Sequence, residues 1–349
     1  MPALVLLGSR PSRTLQAILE YIRKMMATLR TQATKSAAQS DLLRVHVLDG
    51  GMATELEQRG CDVSGPLWSA HALDASPGVI RQVHLDYLRA GADCTSTVSY
   101  QVSALGYAEL GRPREDAARA LRLSVEIAEA AREEYAQESA RPVMIAASLG
   151  PYGAALHNGA EFHGRYAIGF AELVEFHAER LAAIAETGAD VAALETIPSL
   201  EEARAIVKAL ARFPRLRAWV SFTCKDGIHV AHGEQLAECA AAAGAPAQVV
   251  AVGVNCTQPA LIETLIGEAK TATSKPVIVY PNSGETWDAE GRRWCGVADV
   301  AAYGALAQEW FAAGAQAVGG CCRTTPEHIR AVRKAWESMR DLPAEAMRQ

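Results

Sequence analysis

The chain has 349 residues, half of them apolar and 21% charged, and a formal net charge of −6. That is enough apolar material for a full core in one large domain, and the acidic balance excludes nucleic acid as a main partner, since phosphate binding needs a basic field. No uninterrupted apolar run reaches the ~18 residues of a membrane span, and eight cysteines spread over this length do not make a secreted disulfide scaffold, so a cytoplasmic protein without a membrane partner is expected.

Residues 1–40 carry Arg10, Arg13, Arg23, Lys24, Arg30 and Lys35 against a single acid, Glu20. This N-terminal extension has the composition of an organelle transit segment; the other reading is an upstream start, with Met25 or Met26 as the true one. The expected domain is 41–340, followed by a tail, 341–349.

From residue 45 onward one phrase repeats: a short apolar or β-branched run that ends in small, polar or reactive residues, then a helical stretch. The runs are Val45–Gly51, Ala92–Ser99, Pro142–Gly150, Val191–Ile197, Arg217–Cys224, Val249–Cys256, Pro276–Asn282 and Gln316–Cys322. Near-continuous apolar strands suit a sheet covered on both faces, and intervening helices make the strands parallel. Between them, Ile80, Val83, Tyr87 and Leu88 mark one helical face. Ser199 with Glu202 reads as a capping box, and Thr325 before Pro326 as a helix start. Gly91, Gly188 and Gly314 stand where a left-handed C-cap precedes a strand. Eight such units predict an α/β fold, a single (β/α)8 TIM barrel. A doubly wound open sheet is the alternative, without the glycine-rich loop such a sheet places after its first strand.

Asp49, Thr97, Ser148, Glu195, Thr223, Cys256, Asn282, Cys321 and Cys322 all fall at the C-terminal ends of these runs. In a parallel barrel those ends share one face, where active sites lie. Cys256 follows Val254-Asn255, and Cys321 and Cys322 follow Gly319-Gly320. Adjacent strand residues point to opposite faces, but glycines tolerate unusual dihedrals and let a strand break so that both sulfurs turn toward Cys256. Three thiolates suit Zn²⁺, and three ligands leave a fourth position open, as catalytic sites do. Spacing alone leaves buried apolar packing as the other reading. Cys61, Cys94, Cys224, Cys239 and Cys295 read as packing or surface residues, Cys224 least securely because it too ends a strand.

Leu48-Asp49-Gly50-Gly51-Met52, Val254-Asn255-Cys256 and Gly319-Gly320-Cys321-Cys322-Arg323-Thr324-Thr325-Pro326 together resemble the homocysteine S-methyltransferases over residues 45–338. Pro66-Leu67-Trp68-Ser69-Ala70, Glu195-Thr196-Ile197-Pro198-Ser199 and Tyr280-Pro281-Asn282-Ser283-Gly284-Glu285 are similar to the branch that uses S-methylmethionine rather than betaine. The resemblance implies a (β/α)8 fold, Zn²⁺ on Cys256, Cys321 and Cys322, and methyl transfer from a sulfonium donor, S-methylmethionine or S-adenosylmethionine, to the homocysteine thiol, giving methionine. It also places Asp49 and Glu195 at the homocysteine amino group, where a turn residue and a helix N-terminal partner are the plainer readings. The N–H groups of Gly50 and Gly51 are candidates for the substrate carboxylate. Trp68, Tyr100, Tyr152 and Trp287 are candidate aromatic contacts for a sulfonium, each open to a packing role instead. A zinc module that presents homocysteine to a separate methyl-cobalamin partner is the competing function; the chain has no Asp-x-His-x-x-Gly cobalamin motif. A monomer is expected.

Overall fold

The computed structural model describes residues 42, 44–63, 68–288, 293–296 and 298–340. The extension 1–40, the tail 341–349 and the side chains of Trp68 and Trp287 lie outside what it describes. Seven parallel strands form one sheet in chain order: β1 (Cys94–Ser96), β2 (Met144–Leu149), β3 (Val191–Ile197), β4 (Ala218–Phe222), β5 (Val249–Asn255), β6 (Val277–Tyr280) and, after an antiparallel hairpin of β7 (Thr286–Asp288) and β8 (Arg293–Cys295), β9 (Ala317–Val318). The first predicted run does not form a strand of its own. It gives two isolated parallel bridges instead, Val47 with Val318 and Leu48 with Cys94, one to each edge of the sheet. The eight predicted strands thus become seven named ones plus a bridging segment, and the hairpin was not foreseen: its short strands lie inside a loop with no apolar run to announce them.

Helices cover the outer face, chief among them Pro77–Ala90, Arg114–Tyr135, Phe170–Ala185, Leu200–Leu210, Leu236–Gly244, Ile262–Ala272, Val300–Ala313 and Pro326–Arg340. Strand alternation divides the buried residues into two clusters. Ala192, Leu194, Val220, Val252 and Val279 pack outward against the helices. Leu48, Cys94, Ala146, Ala193, Trp219, Ala251, Ile278 and Ala317 fill the interior of the curled sheet.

The repeated glycine phrase does two jobs. Gly91 and Gly314 take the expected left-handed C-cap, at φ 116° and 104°. Gly188 does not: its helix ends at Ala185, its φ is not positive, and it leaves room for the Glu129 carboxylate that lies over it. The acids that close two of these phrases tie neighbouring strands. Asp93 Oδ2 accepts from the N–H groups of His46 and Val47, both at 3.0 Å, and Asp190 Oδ2 from that of Ile145 at 2.8 Å. Only half of the expected capping box forms. Ser199 Oγ accepts from Glu202 N–H, but the Glu202 carboxylate turns to Tyr152 N–H, the Tyr166 hydroxyl and His177 Nε2. A buried carboxylate with three donors holds the loop after β2 onto the helix layer.

Candidate active site

The seven strands of the main sheet run the same way, so their C-terminal ends meet at one rim. The inward parity of each strand decides which residues enter. Ser148 continues the inward row of Met144 and Ala146, Glu195 that of Val191 and Ala193, Ser221 that of Trp219, Asn255 that of Ala251, and Tyr280 that of Ile278.

Asp49 follows the bridging segment and is buried. Its Oδ2 accepts from Ser96 N–H (2.6 Å) and Thr95 Oγ1 (3.1 Å), and its Oδ1 from Ser96 Oγ (3.1 Å). Thr95 Oγ1 also lies 2.7 Å from Nδ1 of His84, which burial holds neutral by lowering its pKa to about 4. The hydroxyl proton goes to Asp49, so His84 donates from Nδ1. Glu195 accepts from the Ser148 and Tyr280 hydroxyls. Burial is the main cause that lifts both acids to about 7, with their mutual repulsion a lesser one at Asp49. Two carboxyls with perturbed titration thus stand on one rim, where a nearby cation would favour their charged forms.

Cys256, Cys321 and Cys322 place their sulfurs within 4.8 Å of one another, the one such grouping of metal-ligating side chains among the described residues. Cys256 and Cys321 are joined here as a disulfide with Cα atoms 5.6 Å apart, and Cys322 is a free thiol that burial pushes up to about 11. Cys224, Cys94 and Cys239 are buried and outside the cluster; Cys61 is half-buried and Cys295 exposed.

The two cysteines at the last strand converge for a different reason than strained glycines. Strand β9 ends at Val318, so alternation does not govern residues 321 and 322. Neither Gly319 nor Gly320 has a positive φ; the left-handed residues are Cys256 (47°) and Arg323 (67°). The glycines serve close approach, since a Cβ on 319 would meet Leu48 and Asp49, and one on 320 the Thr324 side chain. The loop is pinned by Gly320 N–H to Asp49 O (2.9 Å), Cys321 N–H to Pro281 O (2.7 Å) and Ser283 N–H to Cys322 O (3.1 Å).

Gly51 N–H already donates to Thr324, through its carbonyl at 3.2 Å and its Oγ1 at 3.1 Å, whereas Gly50 N–H has no acceptor among the described residues. Of the two candidate carboxylate donors, Gly50 is the one with a hydrogen bond to give. Tyr100 lies against Gly150 and bonds Thr196, which keeps it at the rim. Tyr152 is an aromatic packing residue, edge-on to Tyr166 and Phe176 at 5.3 and 5.1 Å.

Asn255 carries a role that its neighbours in sequence hid. Its Oδ1 accepts from Thr196 N–H (2.7 Å) and Ser221 Oγ (2.9 Å), and its Nδ2 donates to Thr196 Oγ1 (2.8 Å). Thr196 is left-handed at φ 61°, so this amide holds an unfavourable backbone in place directly after Glu195 and directly before Cys256. Asn255→Ala strands the buried Thr196 N–H, while Ser221 Oγ can still turn to the Tyr280 hydroxyl, and is expected to cost about 2 kcal/mol, read as a lowered urea midpoint at unchanged slope.

The homocysteine S-methyltransferase family profile matches residues 46–336. A homocysteine S-methyltransferase of Bacillus subtilis is 50% identical over 295 residues, covering 83% of this chain and 93% of the relative. A selenocysteine Se-methyltransferase of Brassica oleracea is 43% identical, over 91% of this chain and 97% of that one. Among solved structures, the homocysteine methyltransferase MmuM of Escherichia coli superposes in its metallated form with a TM-score of 0.76 at 39% identity, over 83% of this chain and 96% of that one. Its oxidized form superposes equally well, with the same TM-score and identity. The chain belongs to the homocysteine S-methyltransferase family.

Proposed function

We propose that this protein transfers a methyl group from a sulfonium donor, S-methylmethionine first and S-adenosylmethionine second, to the thiol of homocysteine, with Zn²⁺ held by Cys256, Cys321 and Cys322. The observation that carries this reading is three sulfurs within 4.8 Å at the rim where two buried carboxyls also stand. The donor set fits zinc: three soft sulfurs, and no fourth His, Cys, Asp or Glu ligand grouped with them among the described residues. When bound, zinc supplies a substrate thiolate at neutral pH from a thiol whose free pKa is about 8.5.

The chain's own residues do the rest. Asp49 and Glu195 bind the homocysteine ammonium, and Gly50 N–H its carboxylate. Both amino acid ends are then fixed, and the substrate sulfur has one direction left, toward the three cysteines. Holding the two sulfurs in line with the transferring methyl is the main catalytic task. The donor C–S bond breaks as the new S–CH₃ bond forms, and the donor departs as a neutral thioether, so no general acid is required. The thiol proton is lost to solvent. Selenol analogues of the acceptor fall under the same reading, given the Brassica relative's printed activity. Segment 45–51 would close the sheet as the eighth strand of a (β/α)8 barrel, which its bridges to both edges support.

A donor panel with zinc-loaded protein tests the assignment. Sulfonium donors are expected to turn over and betaine is not, because the residue after Glu195 is Thr196, hydrogen-bonded to Asn255, rather than an aromatic wall for a quaternary ammonium. Betaine turnover as fast as that with S-methylmethionine overturns the donor assignment. No turnover with any sulfonium donor overturns the enzyme reading in favour of a homocysteine-presenting module.

A further inference from the structure

Glu161 is an acid at this rim with no role so far. It lies in the short 3-10 turn Ala160–Phe162, in the connection after β2, and that turn packs beside β3, the strand that carries Glu195. The segment is shaped from several sides. His157, Gly159 and Gly164 take left-handed angles of 52°, 79° and 67°. Phe162 N–H donates to Gly159 O at 3.0 Å, and the N–H groups of His163 and Gly164 donate to Ala160 O at 3.1 and 2.8 Å. A Cβ on Gly153 would collide with the backbone of Ala160 and Glu161, and one on Gly164 would come within 3.2 Å of Pro198 and His232. The turn is therefore held against its surroundings at both ends.

Glu161 Oε2 is buried and has no hydrogen-bond partner among the described residues. Gly164, two residues past the turn, lies against Pro198, which follows Glu195 by three residues, so the turn stands at the C-terminal end of β3 on the rim that carries Glu195. The half-buried carboxylate has a hydrogen bond from its own N–H, but a buried oxygen left without a donor is costly in the free protein, and a ligand that supplies one accounts for it.

The proposed chemistry leaves one cation unclaimed. A sulfonium amino acid brings an ammonium as well as a sulfonium, while Asp49 and Glu195 serve the acceptor. A carboxylate against the sulfonium would stabilise a charge that is already dispersing in the transition state and so cost rate. The ammonium keeps its charge throughout, and a contact there binds ground and transition states alike.

We propose that Glu161 is the carboxylate that binds the ammonium group of the methyl donor, so that the enzyme selects its donor as an amino acid. This rests on the sulfonium-donor reading above. The zinc-loaded full chain, wild type and Glu161→Gln, is assayed with S-methylmethionine and with 4-(dimethylsulfonio)butanoate, the same donor without its amino group. In the wild type the deaminated donor should show a KM roughly tenfold or more higher, the loss expected for one charge-assisted contact. Glu161→Gln should raise the S-methylmethionine KM by about the same factor at similar kcat, leave the homocysteine KM within about twofold, and add nothing to the deaminated donor's deficit. A wild type that treats the two donors alike overturns the proposal without any variant. Equal S-methylmethionine KM in wild type and Glu161→Gln, or an equal loss with both donors, overturns it while the sulfonium reading stands. Absence of wild-type turnover with S-methylmethionine removes both.

Discussion

Cys322→Ala is expected to purify with almost no metal, against about one ion per chain in the wild type, and to lose turnover on the order of a thousandfold. The argument rests on number and on partners. A site of three thiolates with an open fourth position cannot lose one and keep its affinity, and the lost activation of the substrate thiol is worth several kcal/mol. Cys322 is the informative choice because Cys256 and Cys321 can satisfy each other, as they do here. For the same reason oxidised protein should hold less metal than reduced protein, since that bond consumes two of three ligands. Cys224→Ala is the control: a buried strand-end cysteine outside the cluster, whose loss should leave metal content unchanged. Elemental analysis reads all three results, under reductant for the two variants and with and without reductant for the oxidised comparison. Full metal content in Cys322→Ala would sink the ligand assignment.

What the sequence made legible and what it hid differ by one or two residues at the strand ends. A run such as Val191–Ile197 announces a buried strand and ends in polar residues, so the rim could be found from the ends of the runs. Which end residue points inward could not, because parity needs the register against neighbouring strands. At β5 the sequence drew attention to Cys256, while the inward position belongs to Asn255 and Cys256 enters only through its left-handed turn. At β4 and β6 the parity is right and the strand end is not: Ser221 and Tyr280 are the last inward residues, while Thr223 and Asn282 share their parity but lie beyond the strands, which end at Phe222 and Tyr280. The first run lost its strand status for a related reason: its hydrogen bonds go to two different neighbours, one residue each, with Asp93 taking the N–H groups of His46 and Val47. Glu161 gave no signal at all. It sits in irregular backbone, and the close approaches at Gly153 and Gly164 that fix this turn are visible only once it is folded against β3.

Asp49→Asn and Glu195→Gln should keep the metal yet weaken homocysteine binding by about 1.5–3 kcal/mol each, the worth of a charge-assisted hydrogen bond. Their pH dependence separates this from a packing effect. In the free protein both acids titrate near pH 7, whereas the ammonium ligand requires them ionised. Homocysteine affinity should therefore fall as pH drops below about 7, by up to tenfold per unit for each acid. The substrate thiol and the metal ligands add their own pH dependence, but that part is common to all proteins compared. The discriminating quantity is the slope difference: each single variant should be shallower than wild type by about one proton below pH 7. Stability should move the opposite way. The folded carboxyls keep protons that the unfolded ones release above about pH 4, so the free wild type loses stability as pH rises from about 4 to about 7. A raise of about three units at Asp49 corresponds to a penalty on the order of 4 kcal/mol above that window. Asp49→Asn removes that penalty and puts an amide against Ser96 Oγ, which can accept from it. Without ligand at pH 8 the variant should melt no lower than wild type, and added homocysteine should raise its melting temperature far less. A variant that melts well below wild type and shows an unchanged homocysteine pH slope would make Asp49 a structural turn residue and nothing more.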